Sequence, residues 1–247
     1  MEMLRKAFLY PFRLLFTFGP WSALSFVLAY RRGDETISLK PRGFPRPVWM
    51  RPRASDIRVV YEIFTKRELA FPWPYPQPPR RVIDAGANVG YATLAIKERW
   101  PECEIVALEP DDSNFEVLAR NCENMSGVTL PKRGLWSESR SLKLEAHSRN
   151  MGAWALKFEP CEPLDPDAVH AVSIPDLLDE MAWEDCDFLK MDIEGAEMPI
   201  FRRSCEWLPR AGSVLVEAHG AEALKLVKQA GQGMKIRQEG EKFLLWR

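Results

Sequence analysis

Four acidic side chains and one histidine stand where apolar runs end, and chemistry is expected from those positions. Asp84 closes Val82-Ile83, and Glu109 closes Ile105-Val106-Ala107-Leu108. Asp192 closes Phe188-Leu189-Lys190-Met191, and Glu217 and His219 close Val214-Leu215-Val216. Short apolar runs bounded by turn residues read as buried strands, so these groups belong at strand ends. Alternation along a strand sends Lys190 and Asp192 to one face, and Glu217 and His219 to one face. Gly86, Asn88 and Gly90 follow Asp84, and a helix is predicted from Tyr91 to Arg99. Glycines let the backbone turn and let a ligand approach without a Cβ in the way. The start of the helix offers N–H groups to a polar or anionic ligand.

The elements that must position these groups alternate along the chain. A second strand spans Glu104 to Pro110, and Asp111-Asp112-Ser113 caps a helix carrying Phe115, Val117, Leu118 and Cys122. A third strand begins at Val128-Thr129-Leu130, near Gly134-Leu135-Trp136. Leu142-Lys143-Leu144 reads as a hairpin strand, and Ser173 to Leu178 as a short strand running into a helix. The fourth and fifth strands are Asp187–Asp192 and Val214–His219. A helix over Ala221–Ala230 precedes a closing antiparallel pair, Lys235-Ile236-Arg237 and Phe243 to Trp246. Such repetition predicts an α/β fold with a doubly wound, mostly parallel sheet, an antiparallel C-terminal edge pair, and ligands at the carboxyl ends of the strands.

Upstream, residues 1–30 are apolar but interrupted by Pro11, Arg13 and Gly19-Pro20. That leaves too short a run for a membrane-spanning helix, and no small-x-small cleavage site follows. Two short helices split at Gly19-Pro20 are expected. They pack on the domain or lie on a membrane surface, with Phe, Trp and Leu inward and Arg5, Lys6 and Arg13 at the headgroups. Residues 35–50 read as a hairpin, and Ser55 or Asp56 as the cap of a helix bearing Ile57, Val60, Ile63 and Phe64. The proline-dense stretch Phe71 to Pro79 excludes helix and central strand. It divides an N-terminal cap and linker, residues 1–79, from a main domain, residues 80–247.

Hydrophobic residues at 46% and charged residues at 28% suit an ordinary globular core. A net charge of −1 argues against a nucleic-acid partner. Residues 1–53 nevertheless hold ten basic side chains against three acidic ones, a bias toward an acidic partner, a phosphorylated substrate or a membrane surface. Five widely spaced cysteines without a C-x-x-C pair point to a reducing, cytoplasmic setting, with or without membrane association.

The ligand follows from a departure. The dinucleotide fingerprint is G-x-G-x-x-G, whereas here Gly86-x-Asn88-x-Gly90 follows a carboxylate. Asp84 would repel a pyrophosphate and favour a cation such as the amino group of S-adenosylmethionine. Glu109 can accept the ribose hydroxyls. Leu135, Trp136 and Ser137, after the third strand, are expected along the adenine. Methyl transfer needs donor and acceptor positioned and a proton removed. Asp192 is the first choice to touch the donor's methionine end or the acceptor hydroxyl, and His219 is the choice for general base. Glu194 is a further catalytic candidate, and it and Glu197 otherwise cap the next helix. Asp192, Glu217 and His219 as holders of a divalent metal stand as an alternative, although no metal ligand is assigned. His147 and His170 read as loop residues.

Three blocks carry a resemblance: Val82 to Gly90; Ala107-Leu108-Glu109-Pro110; and Phe188-Leu189-Lys190-Met191-Asp192-Ile193-Glu194-Gly195-Ala196-Glu197. Together they resemble the FkbM family of S-adenosylmethionine-dependent methyltransferases. Arg51 to Asp56, Gly152-Ala153-Trp154, Glu206-Trp207-Leu208 and Val216 to His219 extend the likeness to roughly residues 40–247. Ala218 and Gly220 depart from the family's common leucine and aspartate. The resemblance implies a class I methyltransferase (Rossmann-like) fold and O-methylation of a hydroxylated small-molecule, sugar or glycan acceptor. Arg51, Arg53 and Asp56 are expected to help close the acceptor site. Competing readings are a nicotinamide-dependent oxidoreductase and a non-catalytic, membrane-associated protein of methyltransferase fold. The oligomeric state stays open.

Overall fold

Strands that read as unbroken apolar runs form the middle of a sheet. In the computed structural model, which describes residues 12–144, 158–162, 165, 168–193, 196–203 and 205–247, β3 (Arg81–Ala85) and β4 (Glu104–Leu108) are buried after their first residue. β10 (Cys186–Met191) is buried except at Asp187. That is the pattern of parallel strands covered on both faces. With β5 (Val128–Thr129), β11 (Ala211–Glu217), β12 (Lys235–Glu239) and β13 (Lys242–Trp246) they make a seven-stranded sheet of order β12-β13-β11-β10-β3-β4-β5. β3 runs parallel to both β4 and β10, and β10 runs parallel to β11. Only the edge is antiparallel, with β13 between β11 and β12. The chain leaves β3 toward β4 and β5, then returns on the other side at β10. The strand order therefore reverses between β3 and β10, where an open α/β sheet binds its ligand.

The structure groups the described residues into two compact units. The larger holds residues 74–87, 102–112 and 126–247, and so the whole seven-stranded sheet. Its core packs Ile83, Val106, Leu108, Leu189 and Val214 with α6 (Ile174–Glu180), α7 (Glu197–Arg202) and α8 (Ala221–Ala230). A second sheet of order β6-β9-β7-β8 comprises Gly134–Leu135, Val169–Val172, Arg140–Leu144 and Phe158–Pro160. Two expectations are corrected. Residues 128–130 and 134–136 do not share a strand: β5 lies in the main sheet and β6 in the second one. Pro131 lies between them and has no N–H for a ladder. Ser173-Ile174 is not a strand either. Ser173 caps α6, its Oγ accepting from the Asp176 N–H at 3.2 Å, and Pro175 sits in the first turn, where its missing N–H costs nothing.

The smaller unit holds the chain through Trp73, with residues 88–101 and 113–125. Residues 12–18 form α1, and α2 (Pro20–Arg32) follows a break at Gly19 with φ +86°. A β1–β2 hairpin (Ile37–Leu39, Val48–Met50) leads to α3 (Asp56–Val60), which runs on as a π-helical turn through Thr65. α4 (Tyr91–Arg99) and most of α5 (Asp112–Asn121) complete the unit. Its core gathers Phe26, Phe44, Met50, Ile57, Tyr91 and Leu94. Neither Ser55 nor Asp56 caps α3. Asp56 is fully buried, and its carboxylate accepts from Arg51 through the backbone N–H and the guanidinium, at 2.8 to 3.1 Å. The Arg51 guanidinium also donates to Ser113 and Asn114, and Arg53 donates to the Tyr30 carbonyl. Through these contacts Arg51 and Asp56 help hold the unit together. All five cysteines are free thiols, and burial pushes that of Cys186 up to about 12.

Candidate active site

At the carboxyl end of β3, Asp84 has no exposed surface and faces Lys190, its cross-strand neighbour on β10. The ammonium Nζ lies 2.9 Å from the carboxylate and also donates to the Gly86 carbonyl at 3.1 Å. Burial alone would pull the lysine's affinity for its proton down. Asp84, Asp192 and Glu217 outweigh it, and the net shift is upward. The cation expected opposite Asp84 is thus supplied by the chain itself.

Gly86 adopts φ +73°, and a Cβ there would stand 1.8 Å from the Asp192 carbonyl oxygen. Its missing side chain admits the backbone at the end of β10. The N–H groups of Gly86 and Ala87 both donate to the Leu108 carbonyl, and the Asp192 N–H donates to the Ala85 carbonyl. The ends of β4, β3 and β10 are therefore laced together by backbone hydrogen bonds. In the smaller unit, Asn88 takes φ +51°, a conformation asparagine tolerates better than most residues. Gly90, at φ +87°, leaves room for Leu118 of α5, whose Cδ1 a Cβ would meet at 2.8 Å. Gly90 is a packing glycine that also opens α4.

Glu109 stands one residue beyond β4, 6% exposed, with one carboxylate oxygen accepting the Asp111 N–H at 3.0 Å. Trp136 and Ser137 follow β6 in the second sheet, both half-buried, and the Trp136 N–H donates to the Val172 carbonyl. Their expected place after the third strand of the main sheet is corrected accordingly.

The ends of β10 and β11 carry the remaining groups. Asp192 and Glu217 are half-buried. Burial first and then Asp192 raise the carboxyl of Glu217, against the opposing pull of Lys242, 3.3 Å away, and of His219. His219 is 29% exposed, and its Nδ1 lies 3.0 Å from Oε1 of Glu197, which is fully buried at the start of α7. Glu197 also accepts the Ile193 N–H at 3.4 Å. A carboxylate can only accept. A neutral ring facing an ionised Glu197 would donate to it through Nδ1. His219 is thus held against a buried acid. Among the described residues no three His, Cys, Asp or Glu side chains converge as metal ligands. Glu194, Gly195, His147 and the Gly152-Ala153-Trp154 element lie outside the described residues.

Residues 84–230, more than half of the chain, match the methyltransferase FkbM domain. The chain belongs to the FkbM methyltransferase family. Among its relatives, Methyltransferase 1 of Beauveria bassiana is 32% identical over 141 residues, 49% of this chain and 57% of the relative. Methyltransferase sdnD of Sordaria araneosa is 29% identical over 152 residues, 49% of this chain and 59% of the relative. The matched region thus spans under two thirds of either relative. A crystal structure of methyltransferase FkbM from Methylobacillus flagellatus aligns with a TM-score of 0.47 at 14% identity, over 78% of this chain and 55% of that one. The class I sheet, with its antiparallel strand inserted next to the edge, is the one that the FkbM family membership implies.

Within this FkbM domain the structure brings together Asp84, Gly86, Lys190 and Asp192 at one strand junction. His219 and Glu197 pair beside the ends of β10 and β11. The sequence suggested Glu197 as a helix cap and did not reveal its pairing with His219. Its partner lies 22 residues away, and nothing local announces the pair.

Proposed function

We propose that the chain is an S-adenosylmethionine-dependent O-methyltransferase acting on a hydroxyl of a small molecule or glycan. The observation that carries this reading is the contact of the buried Glu197 with Nδ1 of His219 beside the strand ends. The donor set fits the cofactor. Glu109, at the end of β4, offers a carboxylate to a ribose diol. Asp192, half-buried at the end of β10, offers one to an ammonium. Asp84 serves the donor indirectly, by fixing Lys190 and through it the Gly86 carbonyl. Asn88 and Gly90 shape the turn into α4, and Trp136 and Ser137 are retained as adenine neighbours.

S-adenosylmethionine, when bound, supplies a methyl group on a cationic sulfur. The chain's own residues supply the rest. Nε2 of His219 takes the acceptor hydroxyl's proton, and Glu197 keeps Nδ1–H in place and stabilises the imidazolium that forms. The fungal relatives named as methyltransferases support the activity class. An acceptor that is not nucleic acid accords with the net charge of −1.

Two measurements test the reading. Calorimetry with S-adenosylmethionine should show binding that Glu109→Ala weakens, and no binding to the purified chain would sink it. Mass spectrometry of cell extract incubated with isotopically labelled donor should then reveal a mass-shifted product bearing a methyl ether.

A further inference from the structure

The smaller unit carries an apolar surface that its own core does not use. α2 buries Ala23, Phe26 and Ala29 against that core. The opposite side of the same helix shows Trp21, Leu24 and Leu28 to solvent, 81%, 50% and 44% exposed, at the spacing of a single helical stripe. α1 repeats the pattern, with Leu14 and Phe18 buried and Leu15 and Phe16 exposed. Among the described residues, eight of the ten exposed large hydrophobic side chains lie on these two helices. Surface hydrophobics scattered singly need no explanation, but a concentration of this kind marks an interaction site.

Charge says what kind of surface it meets. Residues 12–53 hold eight arginines and lysines against Asp34 and Glu35 alone. Arg31 and Arg32 end α2 and are exposed, with Arg32 also paired to Asp34 at 2.7 Å. Arg42 reaches the α1–α2 junction, where its backbone N–H donates to the Thr17 carbonyl and its guanidinium lies over Gly19. An aromatic and aliphatic stripe bordered by cations fits the boundary between headgroups and acyl chains of an anionic bilayer. α2 has 13 residues, about 20 Å at 1.5 Å per residue, too short to span a hydrocarbon layer of about 30 Å. Among the described residues no helix is long and apolar enough to cross a membrane.

We infer that α1 and α2 form an interfacial anchor that lies in the surface of an anionic membrane, with Leu15, Phe16, Trp21, Leu24 and Leu28 inserted and Arg31, Arg32 and Arg42 at the headgroups. The anchor lies outside the matched residues 84–230 and stands independently of the reaction proposed above.

The test is co-sedimentation of the full chain with vesicles of phosphatidylcholine, with and without phosphatidylserine, alongside circular dichroism of each variant. The full chain should partition onto phosphatidylserine vesicles, less so onto phosphatidylcholine, and less at high salt. Leu24→Asp with Leu28→Asp should lower partitioning about tenfold or more while leaving the spectrum unchanged. Arg31→Glu with Arg32→Glu should weaken binding to phosphatidylserine vesicles by at least about fivefold per arginine and abolish the salt dependence it carries. Absence of binding by the full chain, or equal binding by the aspartate variant, overturns the inference. So does a concentration-dependent dimer in ultracentrifugation that the aspartate variant abolishes without any vesicle binding, because the occupant is then a second copy of the chain.

Discussion

Two buried acids in the larger unit hold cationic or basic partners, and they differ in which end stays open. Asp84 and Lys190 are both sealed, at zero and 7% exposure, side by side on adjacent strands. Glu197 is sealed too, but His219 opposite it is 29% exposed. The buried pair fixes backbone, here the Gly86 carbonyl. A pair closed at one end can hold a histidine still while its far nitrogen works. Similar separations, 2.9 and 3.0 Å, therefore come with different degrees of burial.

The largest expected effect breaks the sealed pair. Lys190→Met leaves Asp84 as a buried, uncompensated charge and should cost about 3–5 kcal/mol of stability. Denaturant unfolding checks this. Adding Asp84→Asn should recover much of the loss, since removing both partners of a buried pair is far milder than removing one. If Lys190→Met keeps its stability and loses only activity, the sealed pair is catalytic after all and the contrast fails.

Next in size is the open pair. His219→Gln should lower kcat by about 10²- to 10⁴-fold with the fold intact. Glu197→Gln keeps a hydrogen-bonding group and removes the charge, so it should cost less. The amide no longer stabilises an imidazolium, so the acidic limb of the pH–rate profile should move to lower pH. A loss of kcat in Glu197→Gln with an unmoved profile would make Glu197 structural, like Asp84.

How much of this could be read in the sequence depended on the range of the interaction. β3, β4, β10 and β11 were legible because burial on both faces demands unbroken apolar runs such as Val82-Ile83 and Phe188-Leu189. The break at Gly19-Pro20 was legible because proline and glycine act locally. The β5–β6 split was hidden, although Pro131 was its signal. The helix at Ile174 was misread because apolar Ile174 suits strand or helix, and the Ser173-x-x-Asp176 cap was the better witness. The glycine turn was legible, but what packs against it was not. Gly86 and Gly90 make room for other parts of the chain, the Asp192 carbonyl and Leu118, and only the third dimension shows what fills the space. The partners of Asp84 and Glu197 were invisible for the same reason.

A smaller effect probes the start of α6, away from both pairs. Ser173→Ala removes the oxygen that satisfies the Asp176 N–H and a donor to the Asp176 carboxylate, 2.7 Å away. It should cost about 1 kcal/mol in thermal or denaturant unfolding. Hydrogen bonds from Ser139 and then Ser173 hold the Asp176 carboxyl below its usual value. Its contribution is therefore present at neutral pH and lost as pH falls through that lowered value. The difference between the parent and Ser173→Ala should shrink on acidification.

The smallest effect comes from Glu217, at the end of β11. Burial first and then Asp192 raise its carboxyl, so the native chain holds that proton longer than the unfolded chain does. Where the native state binds more protons, stability falls as pH rises. The stabilisation is complete below the ordinary glutamate range and is lost as pH climbs through the raised value. Thermal midpoints measured across that window should fall with pH in the parent and flatten in Glu217→Gln. Lys242→Met removes a favourable partner 3.3 Å away and should steepen the slope. Asp192→Asn removes a repulsive charge and should flatten it. If Asp192→Asn leaves the slope unchanged, Asp192 and Glu217 do not share a field. The ends of β10 and β11 would then be two separate sites, with the open pair belonging to only one of them.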